Sequence, residues 1–219
     1  MKKTTLLLLA IYASILPVFA DVVVVQEVDA GGGQKMQVPM KLKGDKIRID
    51  MEAQKGSTIM DTGTGNVIML MHPQKSYMLV SGETIKSMNQ QVKADKPDAS
   101  PAKPQPTGRK QKINAYDTEE YVLKTKDGQI SLWLAKNVPN QELLLQQFKK
   151  LNNSTGGGNA ELDYSALPGF PIRMEISGKA GKTNVTILSI QEVTLPDSDF
   201  KPPADYKQME APPAPPIER

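Results

Sequence analysis

Alternation of apolar and polar residues is the strongest pattern along this chain, and it is clearest in residues 45–51. Ile47, Ile49 and Met51 alternate there with charged residues. A period of two is typical of a β-strand that buries one face and leaves the other in water. The segment therefore predicts a strand at the surface of a sheet.

Similar segments recur along the chain, separated by short turns that contain Gly, Pro or Asp. They predict strands at residues 22–25, 36–43, 57–61, 66–71, 75–80, 110–125, 129–136, 170–177 and 182–194. Connections as short as those between residues 45 and 80 do not carry a parallel crossover, so the strands are expected to be antiparallel.

Two segments have helical spacing instead. In residues 83–93, Ile85, Met88 and Val92 recur at intervals of three and four. In residues 139–151, Leu144, Phe148 and Leu151 form an apolar stripe that begins after a proline. Both patterns predict short amphipathic helices.

Two further segments predict neither strand nor helix. Residues 95–108 hold four prolines among small and charged residues, which predicts a mobile linker or long loop. Residues 210–219 are rich in Pro and Ala, which predicts a disordered tail.

Together these elements predict an α+β fold that is mainly β. Neither half holds enough strands to bury a sheet face alone, so we expect one domain over residues 21–209. Its core is expected to be one curved antiparallel sheet, an unclosed β-barrel, with two short helices against the concave face.

Residues 1–20 have the composition of a secretory signal peptide. Lys2 and Lys3 precede an apolar run, and Val18 and Ala20 supply the residues expected before a cleavage site. The alternative, a membrane anchor, is disfavoured because the run is shorter than the roughly 20 residues that span a bilayer. We therefore expect cleavage after Ala20, a periplasmic or secreted product, and no transmembrane anchor in it.

Composition excludes several classes of partner and chemistry. Without residues 1–20 the chain has 25 basic and 24 acidic residues, which disfavours a nucleic-acid partner. The absence of cysteine excludes disulfides, thiol chemistry and a lipid-anchored cysteine.

No catalytic or metal-binding constellation stands out. His72 is the single histidine and lies in a predicted solvated turn. Glu119 and Glu120 are neighbours on a strand and should point to opposite faces, so they do not form an acid/base pair. The sequence thus predicts no enzyme, no metal and no cofactor.

Methionine is the unusual component, with ten residues after Met1 and a cluster at positions 51–78. Flexible, polarisable thioether side chains line adaptable apolar surfaces, but they also fill ordinary cores. Trp133, the single tryptophan, has the same two interpretations: core residue, or part of a ligand site or interface.

Several motifs resemble a family of exported bacterial domains of unknown function. They are GDKIRIDM at 44–51, STIMD at 57–61 and MLMHPQKSY at 69–77, with further matches at 116–121, 132–135, 168–173 and 199–206. That family is similar in outline to the lipoprotein carriers of the periplasm. The resemblance implies their half-open antiparallel barrel, which holds acyl chains against internal helices.

The leading hypothesis is a non-enzymatic periplasmic protein that binds an apolar ligand, such as a lipid or a lipoprotein acyl chain, between sheet and helices. The rival is a structural or interaction module with a fully packed core that contacts other envelope proteins. The residues expected to line the cavity are Ile47, Ile49, Met51, Met69, Met71, Leu132, Trp133 and Phe148.

Overall fold

The computed structural model describes residues 21–31, 35–51, 55–94, 103–125, 128–154, 162–179 and 181–210. The predicted signal segment 1–20 lies outside the described residues. The same is true of residues 211–219 of the predicted tail and of residues 95–102 of the predicted loop.

Twelve strands are described, and they belong to one sheet. Their bounds are β1 Asp21–Asp29, β2 Lys35–Lys43, β3 Lys46–Met51, β4 Gly56–Asp61, β5 Val67–Met71, β6 Ser76–Val80, β7 Gln105–Ile113, β8 Tyr116–Thr125, β9 Gly128–Ala135, β10 Phe170–Gly178, β11 Gly181–Val193 and β12 Lys207–Met209.

The strand order is β12-β6-β5-β4-β3-β2-β1-β11-β10-β9-β8-β7. Pairs are antiparallel except β12 with β6, which is parallel. The two halves of the chain join where β1 pairs with β11. Because β7 and β12 are the two ends of the order, the curved sheet stays unclosed, which confirms the predicted fold class.

Two helices, α1 Gly82–Ala94 and α2 Gln141–Ser154, pack on the face of the sheet that carries Ile47 and Met60. Both helices were predicted from their apolar spacing. Leu144 of α2 is fully buried in the main hydrophobic cluster, and Ile85 of α1 packs against that cluster. We call this helix-covered side the inner face and the opposite side the outer face.

A C-terminal strap, residues 195–209, crosses the outer face of the first half of the sheet. Leu195 and Phe200 of the strap are buried there against Ile59 and Leu70. Ion pairs reinforce the apolar contacts, including Lys41 Nζ to Asp199 Oδ2 at 2.7 Å. The strap ends as β12, which adds an edge strand to the sheet.

Two predicted boundaries were wrong. Residues 110–125 form parts of two strands, since the chain turns at Asn114 with φ of 52°; asparagine tolerates this left-handed conformation. Residues 105–108, assigned to the loop, belong to β7, where Pro106 pairs opposite Tyr121. Proline is tolerated there because β7 is an edge strand.

Candidate functional site

Strand register aligns most of the methionines on the inner face. One transverse row runs Val24, Met40, Ile49, Thr58, Met69, Met78 and Met209 across β1 to β6 and β12. A second row, two residues along each strand, runs Met51, Gly56, Met71 and Ser76. Opposed residues in paired strands share a face, so these rows form one surface.

Burial changes sharply across this surface. Under the helices, Ile47, Met60 and Val67 are buried. Farther along the strands, Met69 is 45% exposed and Met36 is 38% exposed. An apolar strip therefore reaches solvent beyond the helix-covered core.

The strip continues into the second half of the sheet. Met36 pairs with Val28, Val28 with Val185 and Val185 with Met174. Met174 in turn pairs with Leu132, and Leu132 with Tyr121. Since each of these pairs shares a face, the apolar row runs over six strands from β2 to β8 without a charged residue. Its far end is covered, because Leu132 is fully buried and Met174 packs against the cluster that contains it.

The predicted lining residues divide into three groups. Ile47, Ile49, Trp133 and Phe148 belong to the main cluster or pack against it, whereas Leu132 belongs to a second cluster that Phe148 also contacts. Met51 and Met71 are partly exposed on the strip, next to the more exposed Met69. The structure thus brings the three methionines together and places most of the other residues in packed core.

Trp133 and Leu132 do not face the same space, because neighbours on a strand alternate. The Arg109 guanidinium lies 5.6 Å from the centre of the Trp133 ring. Arg109 Nε also donates to Glu120 Oε2 at 2.6 Å, and the Glu120 side chain is almost fully buried. Burial raises the pKa of Glu120. Hydrogen bonds from Arg109 and Thr107 lower it by more than burial raises it, so the net pKa is below the ordinary value. Trp133 is thereby covered by an ion pair.

One buried polar group lies on the strip. The Ser76 hydroxyl, opposite Met71, has no hydrogen-bond partner among the described residues. Buried hydroxyls normally have a partner, so this unpaired one is unusual, and its oxygen is enclosed by the surrounding residues.

His72 lies in the predicted turn, but it is half-buried and hydrogen-bonded, and the sequence did not indicate the network around it. His72 Nε2 lies 2.8 Å from Ser57 Oγ, and His72 Nδ1 lies 2.8 Å from Tyr206 Oη in the strap. Ser57, which is 2% exposed, donates to Asp50 Oδ1 at 2.6 Å. Alternation placed Asp50 on the outer face, but only the fold brought Tyr206 there.

The hydrogen-bond directions argue against a nucleophilic serine. Ser57 has one proton and gives it to the Asp50 carboxylate, which only accepts. His72 Nε2 must then donate to Ser57 Oγ, and in the neutral imidazole Nδ1 accepts from the Tyr206 hydroxyl. An imidazole that donates to the serine cannot take its proton, so the arrangement ties the strap to the sheet and does not activate Ser57.

This network predicts an acid-sensitive stability. Burial raises the pKa of Asp50. Hydrogen bonds from Ser57 and Arg48 lower it by more than burial raises it, so the pKa of Asp50 in the folded protein is below the ordinary value. The ionised Asp50 carboxylate makes its full contribution to the free energy of unfolding above the unfolded pKa of about 3.9. This contribution disappears as the pH falls through the lower pKa of the folded protein. We expect the free energy of unfolding, measured by urea denaturation, to drop below about pH 4, and to drop less steeply in Asp50→Asn. Equal slopes for the two proteins would contradict this assignment.

A cleft of about 600 Å³ lies at the β7–β8 turn and the end of β9. Lysines line it, with Tyr116, Leu134 and Ala135 supplying apolar walls. Lys110 is opposite Glu119 and Lys112 is opposite Asp117 in the strand register, so the charges of the cleft nearly balance. The cleft is polar and lies apart from the methionine-rich end of the strip.

Within the described ranges, no cluster of three or more His, Cys, Asp or Glu side chains is placed to hold a metal ion. No helix in that part of the chain has both the length and the hydropathy to cross a membrane.

The chain belongs to the family described as Domain of unknown function (DUF4412), whose model matches residues 19–206. This agrees with the resemblance seen in the motifs. No curated protein sequence matches the chain significantly.

Two solved structures are similar to this chain at low sequence identity. One is the structure of PNGF-II in a C2 space group, which is 13% identical in sequence and has a TM-score of 0.43. The match covers 88% of this chain and 31% of that chain. This chain thus spans about a third of that protein. Another is a LolA superfamily protein, NE2245 from Nitrosomonas europaea, with 14% identity, a TM-score of 0.31, and coverage of 83% and 89%.

Proposed function

We propose that this protein is a non-enzymatic periplasmic binding protein that holds an acyl chain, of a lipid or of a lipoprotein, on the exposed apolar strip of its inner face. The observation that carries this proposal is the strip itself. Met36, Met69 and Met209 remain 38%, 45% and 46% exposed on a sheet face whose centre is fully packed. Contiguous exposed apolar surface of this kind commonly marks a binding site.

The shape and composition of the strip favour an acyl chain. Its exposed part runs in one or two rows across neighbouring strands of the first half of the sheet, which suits a long narrow ligand better than a compact one. Each methylene taken from water contributes about 0.8 kcal/mol, so eight of them contribute roughly 6 kcal/mol before the entropic cost of binding. Methionine side chains adapt to a flexible chain.

The Ser57–His72 geometry supports the non-enzymatic part of the proposal. The one histidine has both ring nitrogens engaged, and the serine beside it donates to a carboxylate. The expected signal peptide supports the periplasmic part.

A titration with a fluorescent long-chain fatty acid tests the proposal. Replacing Met36 and Met71 together with glutamine removes about 1–2 kcal/mol of apolar contact, so we expect affinity to fall roughly tenfold. Leu79→Gln is the matched control because Leu79 is 41% exposed but lies on the outer face. Its affinity should equal that of the unmodified protein.

Lipid extraction adds a second readout. The protein purified from its native envelope should release acyl lipid detectable by mass spectrometry. Absence of lipid together with no affinity for the fluorescent fatty acid would overturn the proposal. Equal losses in the double variant and in Leu79→Gln would show that the strip is not the site.

A second candidate is an interaction module of the cell envelope. The observation in its favour is the packing of Ile47, Trp133 and Leu144, which fill the space between sheet and helices with core. In this case the fatty acid would not bind, and cross-linking in the intact envelope would capture a protein partner.

A further inference from the structure

Thioether sulfurs are concentrated at one edge of the sheet. Met69 on β5 pairs with Met78 on β6, and Met78 pairs with Met209 on β12. Three methionines thus lie side by side on three adjacent strands of the inner face. The strap is needed to complete this set, because Met209 belongs to it.

The strand register places these three methionine side chains next to one another on the same face of the sheet. Neighbouring strands lie about 4.7–4.9 Å apart, so the outer two methionines flank Met78 on the same face. A methionine side chain has three rotatable bonds and can turn its sulfur towards a neighbour. An ion above Met78 is therefore accessible to sulfurs from both sides, with Met71 two residues from Met69 on the same face.

Exposure distinguishes this trio from the methionines of the core. Met69 and Met209 are 45% and 46% exposed and Met78 is partly exposed, whereas Met40 and Met60 are only 2% and 4% exposed. The exposed sulfurs remain open to an ion from solvent. Packing alone explains Met40 and Met60, but it does not explain three adjacent thioethers at an open edge.

The donor chemistry selects a narrow class of ion. The chain has no cysteine, and both nitrogens of its single histidine are hydrogen-bonded, so thioethers are its available soft ligands. Hard cations prefer oxygen ligands, whereas thioethers select Cu(I) and similar soft monovalent ions.

We propose that Met69, Met78 and Met209 form a binding site for a soft monovalent metal ion of the Cu(I) class, with three thioether ligands. The ion binds without a change of oxidation state. This site is independent of the acyl-chain proposal, because it depends on sulfur and the acyl chain depends on apolar area.

Competition with a chromogenic Cu(I) chelator, under anaerobic conditions, tests the site in the full purified protein. We expect one equivalent of Cu(I) to be withdrawn from the chelator. The triple variant Met69→Leu/Met78→Leu/Met209→Leu should lose this equivalent, since leucine keeps the apolar volume and removes the sulfur. The control Met36→Leu/Met51→Leu should retain it, because those residues lie outside the trio.

Redox-stable Ag(I) gives a second measurement. The methyl resonances of the trio should shift in NMR spectra of methyl-labelled methionine, while those of Met40 and Met60 stay in place. Failure to compete with the chelator, or full binding by a folded triple variant, would overturn the proposal. The variant Met36→Gln/Met71→Gln should lose fatty-acid affinity and still withdraw one equivalent of Cu(I), so measuring both ligands on it separates the failure of this site from that of the proposed function.

Discussion

Replacing Phe170 with alanine is expected to lower the free energy of unfolding by about 3–5 kcal/mol, measured by urea or thermal denaturation. Phe170 is fully buried in the main cluster. Its ring meets Phe148 of α2 edge to face, with centroids 5.3 Å apart. The alanine variant leaves a cavity where α2 is held on the sheet, so the cost includes both lost transfer energy and lost packing.

A control variant and a double-mutant cycle make this prediction specific to the contact between Phe170 and Phe148. Leu79→Ala, on the exposed outer face, should change stability by less than about 0.5 kcal/mol. A double-mutant cycle with Phe148→Ala should give a coupling of about 0.5–1.5 kcal/mol for the aromatic pair. A loss for Phe170→Ala no larger than that for Leu79→Ala would show that α2 does not pack as described.

Replacing Arg48 with methionine should destabilise the protein by about 2–3 kcal/mol. Arg48 Nε donates to Asp50 Oδ1 at 2.7 Å, and Arg48 Nη1 donates to the Asp199 carbonyl oxygen of the strap at 2.9 Å. The variant leaves a partly buried carboxylate and a strap carbonyl without this donor. The residual exposure of both side chains keeps the effect below that of a fully buried pair.

The exposed ion pair of Lys35 with Glu27 supplies the control. Lys35→Met should cost less than about 1 kcal/mol, because the lysine side chain is largely in water. Limited proteolysis adds a local readout: trypsin should cut after Lys207, which precedes Gln208, faster in Arg48→Met than in Lys35→Met. Equal cleavage rates would indicate that Arg48 does not hold the strap.

Local patterns predicted many elements because they are governed by neighbouring residues. The alternation in residues 45–51 gave the face of β3, and the spacing of Ile85 and Met88 gave α1. The division of residues 110–125 depended on one asparagine in a left-handed turn, which the alternation does not signal. The pairing of Pro106 in β7 was equally hidden, since proline is acceptable only when a strand lies at an edge.

The candidate site was predictable in its residue type but not in its geometry. Clustered methionines in residues 51–78 indicated an apolar surface, and register then showed which of them remain exposed. Met209 gave no sequence signal, because its partner Met78 is far away in the chain and the two strands are parallel. The contact of His72 with Tyr206 was undetectable for the same reason.

By itself the sequence determined the period of each segment, the apolar face of β3 and of both helices, and the absence of cysteine chemistry. Those properties depend on side chains a few positions apart. Only the tertiary structure decided that β1 joins β11, that the strap covers the outer face, and that three methionines meet at an open edge. These features depend on pairings between distant segments, and such pairings are selected by the packing of the whole sheet.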